Sequence, residues 1–136
     1  MQREVVYKDK NLLLEYVSDG NYLHETWWGL TPSSVFLKLL DVIISALEDK
    51  QADGLILDAR EHKGLMPKDQ EAAATRHAEY AKKHGILKQA IIIPEDLYSK
   101  FSVTNYSEQF DKTVNNYFRY FKDIPEAEKW LREKEI

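Results

Sequence analysis

The chain contains no cysteine. That excludes disulfides, a thiolate nucleophile and cysteine metal sites, and it suits a reducing, cytoplasmic setting. Glycine is scarce, with five residues dispersed along 136 positions. Neither Gly-x-Gly-x-x-Gly nor Gly-x-x-x-x-Gly-Lys occurs, so the phosphate-cradling loops of nucleotide-binding folds are missing. Gly-x-Ser-x-Gly is missing as well, which removes the nucleophile elbow, although a Ser–His–Asp set assembled in space stays open. No apolar run approaches the roughly 18–20 residues that span a bilayer, and the first six residues form no apolar signal core. The expectation is a soluble, cytoplasmic protein without membrane insertion. Positive charge is also short: 19 Lys and Arg against 23 Asp and Glu leave a formal charge of −4, which disfavours nucleic acid and anionic membrane as partners.

What is present reads as one domain over residues 1–136, long enough for a single core. Its centre is Gly54–Ala59, a short apolar run ending in Asp58 and set between two long helical patterns. A buried strand of a parallel sheet reads this way. Ala90–Pro94 repeats the pattern after one intervening helix, which makes a strand–helix–strand unit. Ahead of it, residues 4–8, 11–18 and 22–28 read as an antiparallel meander, with turn chemistry at Ser18–Asn21. In the third strand Tyr22, His24 and Thr26 face one way; Leu23, Glu25 and Trp27 face the other.

Thr31 suits the N-cap of the first long helix, with Pro32 at its first position and a stripe from Val35 to Leu47 against the sheet. The second helix starts at Pro67 and stops at Gly85. Asp69 lies in its first turn and Lys82, Lys83 and His84 in its last, as the helix dipole favours. Its core face is read as Ala73, Ala74, Ala78 and Ala81. Residues 95–101 read as a loop or short helical turn. A third helix follows, capped by Ser102 or Thr104 and carrying Tyr106, Phe110 and Val114. Phe118–Lys122 is a last strand near a sheet edge. Asp123 and Glu126 have capping-box spacing before a final helix with Ala127, Trp130 and Leu131 inside. Residues 132–136 are expected to fray.

Four segments carry a family likeness: Gly29-Leu30-Thr31-Pro32 before the first helix; Leu55–Asp58 running into Ala59-Arg60-Glu61-His62; Ala90–Pro94 followed by Glu95-Asp96-Leu97-Tyr98; and Phe121-Lys122-Asp123 before Glu126–Leu131. In this order the chain resembles the STAS-like, or SpoIIAA-like (anti-sigma-factor-antagonist-like), domains. The resemblance implies an α/β fold with a mixed sheet, in which the antiparallel meander is followed by βαβ units. It also implies a regulatory or interaction module more often than an enzyme, which is kept as a third reading. The best-understood relatives carry a phosphorylatable Ser at the helix after the central strand; here His62–Pro67 holds neither Ser nor Thr. SpoIIAA-like folds also resemble SEC14-type lipid-binding domains, which implies a small-molecule or lipid carrier as the alternative.

Ligands favour the carboxyl ends of parallel strands. Two loops lie there, and they nominate Asp58, Arg60, His62 and Lys63 with Glu95 and Ser99. Arg60, His62 and Lys63 are placed to hold an anion at the start of the second helix. The plainer expectation is a solvated loop, with Asp58 bonded to backbone and Arg60 paired to an acid. His77 and His84 share a helix face but lie about two turns apart, roughly 10 Å, so no metal site is expected. His77 is expected beside the alanine face and His84 at the helix C-terminus. No catalytic residue and no cofactor is nominated. Trp27 and Trp28 are adjacent in a strand and face opposite ways, so one of them, with Tyr22, is a candidate interface anchor. The expected partner is a protein, a second copy of the chain included; the alternative partner is a small apolar ligand.

Overall fold

The computed structural model describes residues 2–104, 108–111 and 115–133. One mixed sheet organises them. Its strands are β1 (Arg3–Lys8), β2 (Leu12–Val17), β3 (Tyr22–Gly29), β4 (Gly54–His62), β5 (Leu87–Ile92), β6 (Glu108–Asp111) and β7 (Asn116–Phe121). The helices are α1 (Ser33–Lys50), α2 (Pro67–His84), α3 (Glu95–Thr104) and α4 (Ile124–Arg132). The spatial order is β1-β2-β3-β4-β5-β7-β6. The meander β1–β3 is antiparallel, β3 through β4 and β5 to β7 is parallel, and β6 returns antiparallel on β7. Gly54–Ala59 thus forms most of a central strand, as its apolar run requires.

Alternation along the strands sorts side chains into two cores. Leu14, Leu23, Trp27 and Leu55 meet Phe36, Leu40, Ile43 and Leu47 of α1 and Tyr80 and Ala81 of α2. On the opposite face Val17, Tyr22, Ile56, Ala90, Ile92 and Phe121 meet Ala127 and Trp130 of α4. Asp123 caps α4 by accepting from the Glu126 amide at 3.0 Å. Gly85 ends α2 at φ 111°, a left-handed backbone that suits glycine, and its N–H donates to the Ala81 carbonyl. No described helix is long and apolar enough to cross a membrane.

Several expectations are corrected. Thr31 does not cap α1. Pro32 occupies that place, and the buried Thr31 hydroxyl bonds His62 instead. The inner face of α2 runs through His77, Tyr80 and Ala81, whereas Ala74 is exposed. Ala74 and Ala78 look onto an open groove over β5 and β7, where α2 leaves the sheet uncovered. His84, by contrast, ends α2 as expected, where it bonds Asp53 at 2.6 Å and stacks on Tyr80. The segment 95–104 is a full helix. The helix expected after it is replaced at 108–111 by β6, which pairs with β7 and takes the sheet edge from it. Tyr106 and Val114, and residues 134–136 of the expected frayed end, lie outside the described residues.

Candidate functional site

The carboxyl ends of β3 and β4 and the starts of α1 and α2 converge at one end of the sheet. Two side-chain bonds fasten this corner. Ser33 Oγ in the first turn of α1 donates to Asp69 Oδ2 in the first turn of α2 at 2.7 Å. Thr31 Oγ1 lies 3.2 Å from His62 Nε2. The Gly64 amide donates to His62 Nδ1, so the ring carries its proton on Nε2 and donates to Thr31. Burial lowers the His62 pKa and favours this neutral ring. Asp69 is itself buried in the opening turn of α2 and sets a carboxyl group beside the free helix amides.

A one-residue bulge decides where the nominated residues point. Thr26 pairs with Asp58 but Trp28 pairs with Glu61, so β4 spends three steps where β3 spends two. Arg60 stays on the α4 side, held to Asp58 by bonds of 2.9 and 2.8 Å from its guanidinium. Its backbone N–H also donates to Asp58. Burial would raise the Asp58 pKa, but the Arg60 bonds outweigh it and hold the carboxyl below its ordinary range. His62 lies on the opposite face, its ring edge-on to Trp27 at 5.5 Å. Lys63 is exposed, and its N–H closes the β3–β4 pairing on the Gly29 carbonyl. Glu95 and Ser99 sit on α3, where the Ser99 hydroxyl donates to the Glu95 carbonyl. The structure therefore joins Asp58 to Arg60 and Glu95 to Ser99, and sets Arg60 and His62 apart across the sheet.

Of the nominated interface residues, Tyr22 and Trp27 are corrected to core positions. Tyr22 is 0% exposed, with its hydroxyl donated to Glu128, and Trp27 is packed on Phe36. Trp28 alone is exposed, at 38%. Leu30 (70%), Leu37 and Met66 (60%) are exposed at the same end, in the β3–α1 connection, the second turn of α1 and the N-cap of α2.

Beneath this rim lies a cavity of about 70 Å³ between the sheet, α1 and α2. Trp27, Phe36, Leu40, Leu57 and Leu65 supply most of its wall; Glu25, His62 and His77 are its titratable members. Glu25 is 1% exposed, and burial pushes its carboxyl up to about 7. Glu25 Oε1 accepts from the Trp27 indole N–H at 2.9 Å. Glu25 was legible from strand alternation, which sets an acid between Leu23 and Trp27 on one face. His77 was expected beside the alanine face of α2, and it is buried there, in the cavity wall. Among the described residues no group of three His, Asp or Glu side chains could hold a metal ion.

No family model matches the chain, and no curated protein matches it. A solved structure does: an uncharacterised protein of the DUF3478 family with a SpoIIAA-like fold, from Shewanella loihica PV-4. It is 20% identical, with a TM-score of 0.59, over 92% of this chain and 99% of that one. At this identity the likeness speaks for architecture alone, and it agrees with the order of strands and helices described above: the chain has a SpoIIAA-like fold.

Proposed function

We propose that the chain is a non-catalytic regulatory module of SpoIIAA-like fold that docks a protein partner through the carboxyl end of its parallel strands. The observation that carries this is the apolar rim of Trp28, Leu30, Leu37 and Met66. Large apolar side chains exposed at this end of the sheet, with exposed charges such as Glu61, Lys63 and Lys68 in the same connections, suit an interface core and its polar surround. The Ser33–Asp69 and Thr31–His62 bonds hold the two helix starts in place, so little ordering remains for the moment of binding. A second copy of the chain is one partner of the required chemistry. The cysteine-free composition suits work in the cytoplasm. The carrier alternative has weaker support: a cavity of about 70 Å³ is far below the roughly 300–1,000 Å³ of ligand pockets, and the groove beside α2 is open.

Native mass spectrometry of gently purified protein tests the reading. The natural chain is expected to carry a stoichiometric protein mass, its own or another. Leu30→Asp with Met66→Asp is expected to give the bare monomer with an unchanged circular dichroism spectrum. A partner retained by the double variant would overturn the docking surface; a lipid-sized adduct on the monomer would instead support the carrier.

A further inference from the structure

His62 closes the end of β4 with two bonds that ask opposite roles of its ring. Nε2 donates to Thr31 Oγ1 in the β3–α1 connection, and Nδ1 accepts from the Gly64 amide in the β4–α2 connection. Only the neutral ring does both. A proton on Nδ1 sets N–H against N–H and ends the bond to Gly64. The groups around the ring do not offset the new charge. Glu25 of β3 and His77 of α2 are the titratable residues that share its wall, and α1 adds Phe36, Leu40 and Ile43 there. Glu25 titrates at about 7, so its carboxyl is already neutral in the range below 6.5 where His62 takes up a proton. His77, also shifted down by burial, can add only positive charge. Asp69 at the start of α2 accepts from Ser33, and Glu61 and Lys63, beside His62 in the chain, are exposed.

We propose that His62 is a proton-operated latch on the docking end: its protonation releases Gly64, Leu65 and Met66 from the β3–α1 connection and withdraws Met66 from the apolar rim. The Lys63 N–H stays on the Gly29 carbonyl and Ser33 stays on Asp69, so the release is confined to these three residues. Gly64, at φ 100°, gives the chain a point to turn. Burial depresses the folded-state pKa of His62, so the latch is closed above pH 6.5 and opens as pH falls. As a control on docking it rests on the function proposed above; as a movement of the free chain it does not.

The test is NMR on the free chain, labelled in backbone amides, imidazoles and methionine methyls and titrated from about pH 8 to 5. The His62 ring is expected to titrate below pH 6.5, with the Gly64 amide and the Met66 methyl following at the same midpoint. The Gly64 amide is expected to lose about fivefold in exchange protection across it, as the loss of one hydrogen bond implies. In His62→Gln, which does not titrate, the Gly64 and Met66 signals are expected to stay flat through that midpoint. Glu25→Gln removes the titration at about 7 and is expected to leave the midpoint at Gly64 and Met66 where it was. The latch is overturned by Gly64 and Met66 signals that ignore the His62 midpoint, that follow one at about 7 which Glu25→Gln removes, or that still titrate in His62→Gln. None of these outcomes alters the partner mass expected at neutral pH, so the latch and the docking surface fail separately.

Discussion

Glu25→Gln is expected to remove about 3 kcal/mol of pH dependence from the stability of this protein. The ordinary pKa of 4.5 applies to Glu25 in the unfolded chain, and burial takes it to about 7 in the folded one. Between those values the folded state holds a proton that the unfolded state releases. Stability from this group is therefore complete below pH 4.5, declines as pH rises, and is lost once pH passes about 7. Glutamine keeps an oxygen for the Trp27 indole and does not titrate. Three histidines, buried His24 and His77 and half-buried His62, slope the other way. Burial lowers His24, His62 and His77 below 6.5, so each contributes stability present above pH 6.5 and lost as pH falls. The natural protein alone would show only the sum of these slopes. The difference between natural and Glu25→Gln unfolding free energies, from urea titrations at pH 4.5 to 8, isolates the carboxyl. A difference that stays constant over that range would mean that Glu25 is hydrated in the folded state.

Leu55→Ala is expected to cost about 3 kcal/mol, the second large effect. Leu55 is fully buried on β4, in the core that α1 and α2 share, and truncation leaves a hole that the flanking strands β3 and β5 prevent from closing. Leu30→Ala removes the same atoms from a side chain that is 70% exposed, and is expected to change stability by less than about 0.5 kcal/mol. Urea midpoints at constant m-value make the comparison. Equal costs at the two positions would contradict the placement of the core. The pair also separates roles, since Leu30 belongs to the proposed docking rim.

The strands and helices that position this corner were legible because their patterns admit one reading. Gly54–Ala59 is short, apolar and closed by Asp58, and the extents of α1 and α2 follow from their spacing, although the N-cap of α1 and the inner face of α2 were read wrongly. The segment after Thr104 was not legible for a particular reason. Tyr106, Phe110 and Val114 are four apart, which fits one face of a helix and equally one face of a strand, since four is a multiple of two. Pairing with β7 decides the matter at Glu108–Asp111, and pairing is tertiary information. The separation of Arg60 from His62 was hidden likewise: the bulge in β4 exists only against its register with β3. Adjacent Trp27 and Trp28 were correctly expected to face opposite ways, but which ring goes inside depends on where α1 lies. Tyr22 shares its alternation with His24 and Thr26, and only the arrival of α4 buries it.

Hydroxyl-radical footprinting tests the docking end most directly. The chain is oxidised in extract of the cells that express it and, in parallel, as purified protein, and the rates are compared residue by residue. Slowed oxidation in extract at Trp28, Leu30 and Met66, with exposed Val5 on β1 unchanged, is the predicted result. Unchanged rates at those three, or slowing confined to Val5 or to Phe118 and Tyr120 in the groove beside α2, would contradict it.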